Sequence, residues 1–283
     1  MSTSTTTPPE TVNQSPSHRW STPSSGVQQL LWGAAGIVLV VIIWTIASAW
    51  KADPVILPSP LKTVTTFWDY LLRAYPGVGG HTLWQHALIS TARIAAGWLA
   101  GVVLGMLLGS VMAAVRPIRH LLDPLIEITR PLPPLAFIPL FIVWFGIGET
   151  SKFLLILVGV TPVMIISTLA ALDGVPKDLI QASQALGASN LRTLLIVRLR
   201  SALPGLITGM RLSLGGAWTG IIAVELLAAT SGLGYLINNA GVNLQTPLVL
   251  SGIAMISILG ILLDASLRWA GRLADPSGGG RST

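Results

Sequence analysis

At 283 residues, 52% apolar and 10% charged, with a mean hydropathy of +0.71, the chain departs from soluble domains, in which about a quarter of residues are charged. Spans of about 20 residues each leave room for roughly six membrane helices and their loops, and none for a second, catalytic domain. Cysteine is absent, which excludes disulfides, thiolate nucleophiles and cysteine metal sites, and the net charge of +6 carries meaning through its placement between spans rather than its sum.

Residues 1–26, rich in Ser, Thr and Pro, cannot bury enough apolar surface to fold and predict a disordered tail. The uncharged run 30–50 is longer than the apolar core of a signal peptide, so it reads as a retained anchor despite Ala47-Ser48-Ala49 near its end. Leu61, Val64, Phe67, Trp68 and Leu71 recur at helical spacing over 60–72, which predicts an interfacial helix. Further spans are expected at 88–115, 121–146, 153–172, 206–228 and 248–269, giving an apolar transmembrane domain over 27–272 and a flexible tail at 273–283.

With a cytoplasmic N-terminus, Arg19, Arg116, Arg119, Lys177, Arg192, Arg198, Arg200, Arg268, Arg272 and Arg281 fall inside, against Lys51, Lys62, Arg73 and Lys152 outside. This asymmetry predicts a multi-pass inner-membrane protein with both termini, and the polar insert 173–204, in the cytoplasm. The insert reads as a helix from Lys177 to Leu186, a break at Gly187 and a second helix toward Pro204. Gly187 weakens helix and tolerates left-handed backbone, so the two pieces can meet at a sharp angle. A docking element for a partner and an amphipathic helix lying on lipid are the two readings of this pattern; the small Ala182 and Ser183 give little apolar depth for the second.

Gly97, Gly101, Gly105 and Gly109 recur every four residues, as do the pairs Gly205 with Gly209 and Gly216 with Gly220, and each stripe lets another backbone approach closely, within the chain or across a subunit contact. Pro131, Pro133, Pro134 and Pro139 interrupt the third span. Backbone groups freed at membrane depth must be buried in protein or line a wet cavity, which makes this segment the first candidate for a pathway wall. Glu127 and Arg130 stand three apart and could form a plain ion pair. Arg93, Arg211 and Glu225 lie at membrane depth, where a charge faces a cavity or a partner; Arg211 and Glu225 are about 21 Å apart by helix rise and cannot pair with each other. The pathway candidates are therefore Arg130, Pro134, Trp144, Arg211, Trp218 and Glu225. Trp50, Trp68, Trp84, Trp98 and Trp269 fall near span ends and read as interfacial anchors. His81 and His86, five apart with no third ligand near, are spaced wrongly for zinc, and Gly232-Leu233-Gly234 reads as a turn or re-entrant loop rather than a nucleotide site.

The insert resembles the EAA coupling loop of permease subunits in binding-protein-dependent ABC importers. Gln181-Ala182-Ser183 stands at the EAA position, Gly187 at the glycine, Val197 at the isoleucine and Leu199-Arg200 at the Leu-Pro; Gln181, Ser183 and Arg200 are departures. Leu83-Trp84-Gln85-His86, Asp123-Pro124-Leu125-Ile126-Glu127, Arg130-Pro131-Leu132-Pro133-Pro134, Trp144-Phe145-Gly146-Ile147-Gly148-Glu149 and the run from Ala223 through Glu225 to Gly234 resemble the taurine, aliphatic-sulfonate and nitrate branch. The resemblance implies an all-α type I ABC importer permease fold of about six transmembrane helices, working as a homodimer. It implies two cytoplasmic ABC ATPase subunits docked on Gln181, Ala182, Ser183, Gly187, Ala188 and Ser189, a periplasmic or extracellular solute-binding protein, and contact with membrane lipid but no nucleic acid. No cofactor or metal is expected in this chain, which catalyses no chemistry itself; ATP with magnesium belongs to the partner. The solute implied is taurine or another small sulfonate, with nitrate or another small solute as the alternative. An ion-gradient-driven secondary transporter, the rival from another class, predicts internal repeats and a second acid to match Glu225, and neither is found in the sequence.

Overall fold

The computed structural model describes residues 26–51, 53–74 and 80–274, and among them every regular element is helical. Of the tails expected at 1–26 and 273–283, residues 1–25 and 275–283 lie outside the described residues, while Gly26 begins one helix and Leu273 and Ala274 end another. The chain divides into two units, residues 1–47 and 48–283. The described part of the first belongs to α1 (Gly26–Lys51), an uncharged apolar helix up to Lys51.

In the second unit α2 (Pro60–Leu72) starts where Ser59 Oγ accepts from the Lys62 amide and Pro60 takes a first-turn position that needs no donor. The next helix, α3 (Leu83–Ala114), begins five residues before its apolar run suggests. A capping box explains the gain: Thr82 Oγ1 accepts from the Gln85 amide at 3.1 Å while Gln85 Oε1 accepts from the Thr82 amide at 2.9 Å. After α4 (Arg116–Thr129) comes the proline run, a 3-10 turn at Pro134–Phe137 and the short α5 (Ile138–Phe145), with an 86° bend between the two arms. The interruption expected of the third span is therefore present as a broken helix. Pro131, Pro133 and Pro134 remove three of four successive donors, and no continuous ladder can cross them.

α6 (Glu149–Asp173) packs along α3. A Cβ on Gly97 or Gly101 would lie 2.7 Å from the Cβ of Ile156 or Val160, and one on Gly109 would lie 2.8 Å from that of Thr168, so the four-residue glycine stripe is an intrachain helix seam. α9 (Leu199–Ala228) brings Gly205 and Gly209 against Ala171 and Ser167 of α6 in the same way. Ile94, Trp98 and Val102, with Ile156, Val160, Met164, Leu214, Ala217 and Ile221, form the three-helix core between α3, α6 and α9. Trp98 is thus a core residue, its indole N–H donating to Ser213 Oγ at 3.0 Å, and not an interfacial anchor; depth along a helix does not reveal which face a side chain occupies. Trp50, Trp68, Trp84 and Trp269 are exposed.

Five described helices are long and apolar enough to cross a membrane, and the bent pair α4 with α5 makes a sixth crossing if its arms form one span. The helix ending at Ala228 runs back without a stop through Pro204 to Asn190. The expected boundary at Pro204 is absent because Arg200, whose carbonyl loses its intrahelical donor to the proline, is exposed and can be hydrated. α10 (Leu233–Val242), ten residues long and not anticipated from the sequence, lies between α9 and α11 (Thr246–Ala274).

Candidate functional site

The polar insert folds as an elbow. α7 (Lys177–Ala185) ends in a left-handed turn at Gly187, φ +82°. There the Ala188 amide donates to Ser183 O at 3.1 Å and the Gly187 amide to Gln184 O at 2.9 Å, the paired bonds of a Schellman stop. Ser189 then caps the one-turn α8 (Asn190–Arg192) by accepting from the Arg192 amide, and a π turn at Thr193–Arg198 leads into α9. Ser183 Oγ lies 2.9 Å from Thr193 Oγ1, tying α7 to that turn. This gives one departure from the EAA pattern a structural role: where an alanine would be silent, Ser183 braces the elbow from inside. Gln181 and Ala182 are exposed, Ala188 is half-buried, and Leu186, just before the turn, is 90% exposed.

The elbow is anchored at the last turn of α6. Asp173 pairs with Arg119 of α4 at 3.0 Å and with Arg198 at 3.9 Å, and Arg198 donates to Leu172 O at 3.2 Å. The elbow is thereby tied to α4, the arm that leads into the proline break.

At the opposite end of α6, Arg93 joins four elements. Its guanidinium takes both oxygens of Glu149 at 2.6 and 2.7 Å, Glu225 Oε1 at 2.8 Å and Ser231 O at 2.7 Å. Lys152 adds a bond to Glu149 at 3.0 Å. Glu225, a pathway candidate by sequence, is 1% exposed. Its carboxylate also accepts from Ser90 Oγ at 2.8 Å and from the Gly234 amide at 3.0 Å, so it caps the positive end of α10 and presents no face to a solute. The Gly232 amide donates to His86 Nδ1 at 3.0 Å, and the Leu233 amide to Ser90 Oγ at 2.8 Å. His86 is thus part of the α10 seat, and among the described residues no three His, Asp or Glu side chains could hold a metal. Gly232-Leu233-Gly234 is the turn that starts α10, with Gly232 at φ +114°. Glu149 and Ser90 escape sequence reasoning because their partners come from distant parts of the chain.

The remaining pathway candidates separate in the same way. Arg211 pairs with Asp264 at 2.8 Å, and Trp218 packs across α11 at Gly260. Trp144 is exposed beside Phe141 and Phe145. Arg130 and Pro134 line one cavity of about 180 Å3 between the proline break and α6. Arg130 is exposed, and among the described residues it has no ion pair, with Glu127 or otherwise.

Residues 101–276 match the family of binding-protein-dependent transport system inner membrane components. The chain is 41% identical over 259 residues to the taurine transport system permease protein TauC of Escherichia coli, covering 91% of this chain and 93% of that protein. It is 35% identical over 231 residues to the putative aliphatic sulfonates transport permease protein SsuC of Bacillus subtilis, covering 81% of each. The fold is similar to that in a structure of the MetNI methionine ABC transporter in inward-facing conformations, with a TM-score of 0.57 and 23% identity over 68% of this chain and 94% of that one.

Proposed function

The chain belongs to the family of inner membrane components of binding-protein-dependent transport systems, in the ABC permease branch that includes taurine, sulfonate and nitrate permeases, and from that premise we propose that it carries a small sulfonate, taurine first, in an ATP-driven importer. The observation that carries the coupling half of this reading is the elbow at Gly187, a two-helix projection with Gln181, Ala182 and Leu186 exposed. A loop that only joined two spans would need neither the Schellman stop nor the Ser183–Thr193 brace.

In this reading two cytoplasmic ATPase subunits grip two such elbows and hydrolyse ATP with magnesium, while this chain performs no chemistry. A solute-binding protein delivers the sulfonate on the outer face, and both termini are cytoplasmic. Two copies of the chain enclose the pathway; Leu212, Gly216 and Gly220 follow one face of α9, and a Cβ on either glycine would meet nothing within 4 Å in the single chain, which leaves room for a second backbone. Nucleotide binding shifts the pair between inward and outward access through its differential affinity for the two states.

The test is uptake of labelled taurine into vesicles carrying the permease with its ATPase and binding protein. Uptake is expected to require ATP and to persist when ion gradients are collapsed by ionophores. Dependence on the gradient and not on ATP would replace this reading with a secondary transporter, and uptake of nitrate without taurine would move the solute within the branch.

A further inference from the structure

Three arginines lie within the spans, and two of them are occupied. Arg93 is neutralised by Glu149 and Glu225, and Arg211 by Asp264. Arg130 is the exception among the described residues. It shares its cavity with Pro162 and Val163, at the centre of the 25-residue α6, so the cavity lies alongside the middle turns of that helix. A cation there that faced lipid would be costly, whereas one facing water or an anion is not. A positive charge at the C-terminal end of α4 also complements the helix dipole, which accounts for its tolerance but not for its opening onto a cavity.

Resting on the permease reading, we infer that Arg130 at the proline break is the anion-recognition group of the translocation pathway, pairing with the sulfonate of the passing solute. The surroundings fit a transient contact. Thr129 is the one other polar side chain at the cavity, and Leu132, Pro134, Phe137 and Val158 make the rest of it apolar, so a sulfonate meets one charge-assisted contact and a slippery wall. A site with several donors would hold the anion; a single guanidinium at a broken helix can release it. Arg119, which pairs with Asp173 at the base of the elbow, lies on α4, whose C-terminal cap is Arg130. One helix thus connects the base of the elbow to the proposed anion contact.

The cysteine-free sequence makes the test clean. Arg130→Cys, reconstituted with the ATPase and binding protein, is treated with aminoethyl and sulfonatoethyl methanethiosulfonate. Expected are reaction from the aqueous phase, recovery of taurine uptake with the cationic adduct, and none with the anionic one. Both adducts sit on the same folded protein, so folding cannot produce the difference. Arg130→Gln should lower uptake by at least about tenfold, the scale of a lost charge-assisted hydrogen bond, while binding-protein-stimulated ATP hydrolysis continues. A thiol unreactive from water, or uptake in Arg130→Gln equal to that of the parent, would overturn the inference. So would a defect that appears only in vesicles containing anionic phospholipid, which would assign Arg130 to a lipid headgroup. Absence of ATP-driven uptake in the unmodified protein would instead sink the permease reading itself.

Discussion

Arg93 and Glu225, 132 residues apart in sequence, meet at 2.8 Å with the Glu225 side chain fully enclosed, and this pair seats α10 against α3 and α9. Removing Arg93 leaves Glu225 a buried carboxylate without its counter-charge, which costs about 3–5 kcal/mol in proteins generally, whereas removing Glu225 leaves Arg93 its pair with Glu149 but takes the cap from α10. Glu225→Ala and Arg93→Ala should each lower the thermal midpoint in detergent markedly, and Arg93→Met combined with Glu225→Leu should be less damaging than the two single losses together. Wild-type midpoints in both single variants would show that the pair is not structural.

The two kinds of glycine stripe should respond oppositely to the same substitution. Gly101→Val drives a branched side chain into Val160 and should destabilise the chain by about 1–3 kcal/mol through overpacking. Gly216→Val meets nothing in its own chain, so the thermal midpoint should hold while the proposed dimer dissociates, read as halved protein mass by light scattering in detergent. Retention of the dimer would move the subunit contact away from this face of α9.

Local chemistry was legible where it acts over a few residues. Glycines every four positions announced close helix contact, consecutive prolines announced a broken span, and Gly187 announced a left-handed turn, because each follows from the residue's own backbone limits. The signal for the early start of α3 was also present, in Thr82 followed three residues later by Gln85, but it is polar and hydropathy passes over it. What could not be read were partners contributed from afar. Glu225 looks the same in sequence whether it lines a pathway or caps α10, and only the fold brings Arg93, Ser90 and the Gly234 amide to it. Trp98 likewise looks like any span-end tryptophan until Ser213 is placed opposite it.

Topology follows from the placement of basic residues around the insert. Cysteines introduced at Ser189 and Asn190, both exposed, should react with membrane-impermeant maleimide in inside-out vesicles and not in intact cells. Labelling from outside intact cells would reverse the orientation and remove the elbow from the reach of any ATPase.

Gly187→Val tests whether the elbow's shape matters. The backbone at φ +82° disfavours any β-branched residue, yet a Cβ there meets no neighbour, so the effect is conformational and not steric crowding. The variant should reach the membrane in normal amount and lose transport, with its thermal midpoint little changed because the strained turn is peripheral to the core. Full transport would mean that α7 does not have to be held at this angle for coupling.

The contact surface itself separates shape from charge. Gln181 keeps the reach of a glutamate without its charge, so a contact it makes with the ATPase is an ordinary hydrogen bond worth about 0.5–1.5 kcal/mol and only weakly dependent on salt. Gln181→Ala should therefore leave uptake within about tenfold of the parent. Ala182 is exposed beside it on α7, and in the proposed docking it contributes by being small. Ala182→Trp places a bulky ring where the partner's surface has to approach, and should uncouple ATP hydrolysis from uptake while the thermal midpoint of the isolated permease stays unchanged. Ser183→Ala removes the hydroxyl pairing with Thr193 and should loosen the elbow, giving a partial loss between those two extremes. Uptake and ATP hydrolysis measured together for the three variants rank the effects. If Gln181→Ala proves as damaging as Ala182→Trp, docking by shape is the wrong account, and a specific polar contact at Gln181 takes its place.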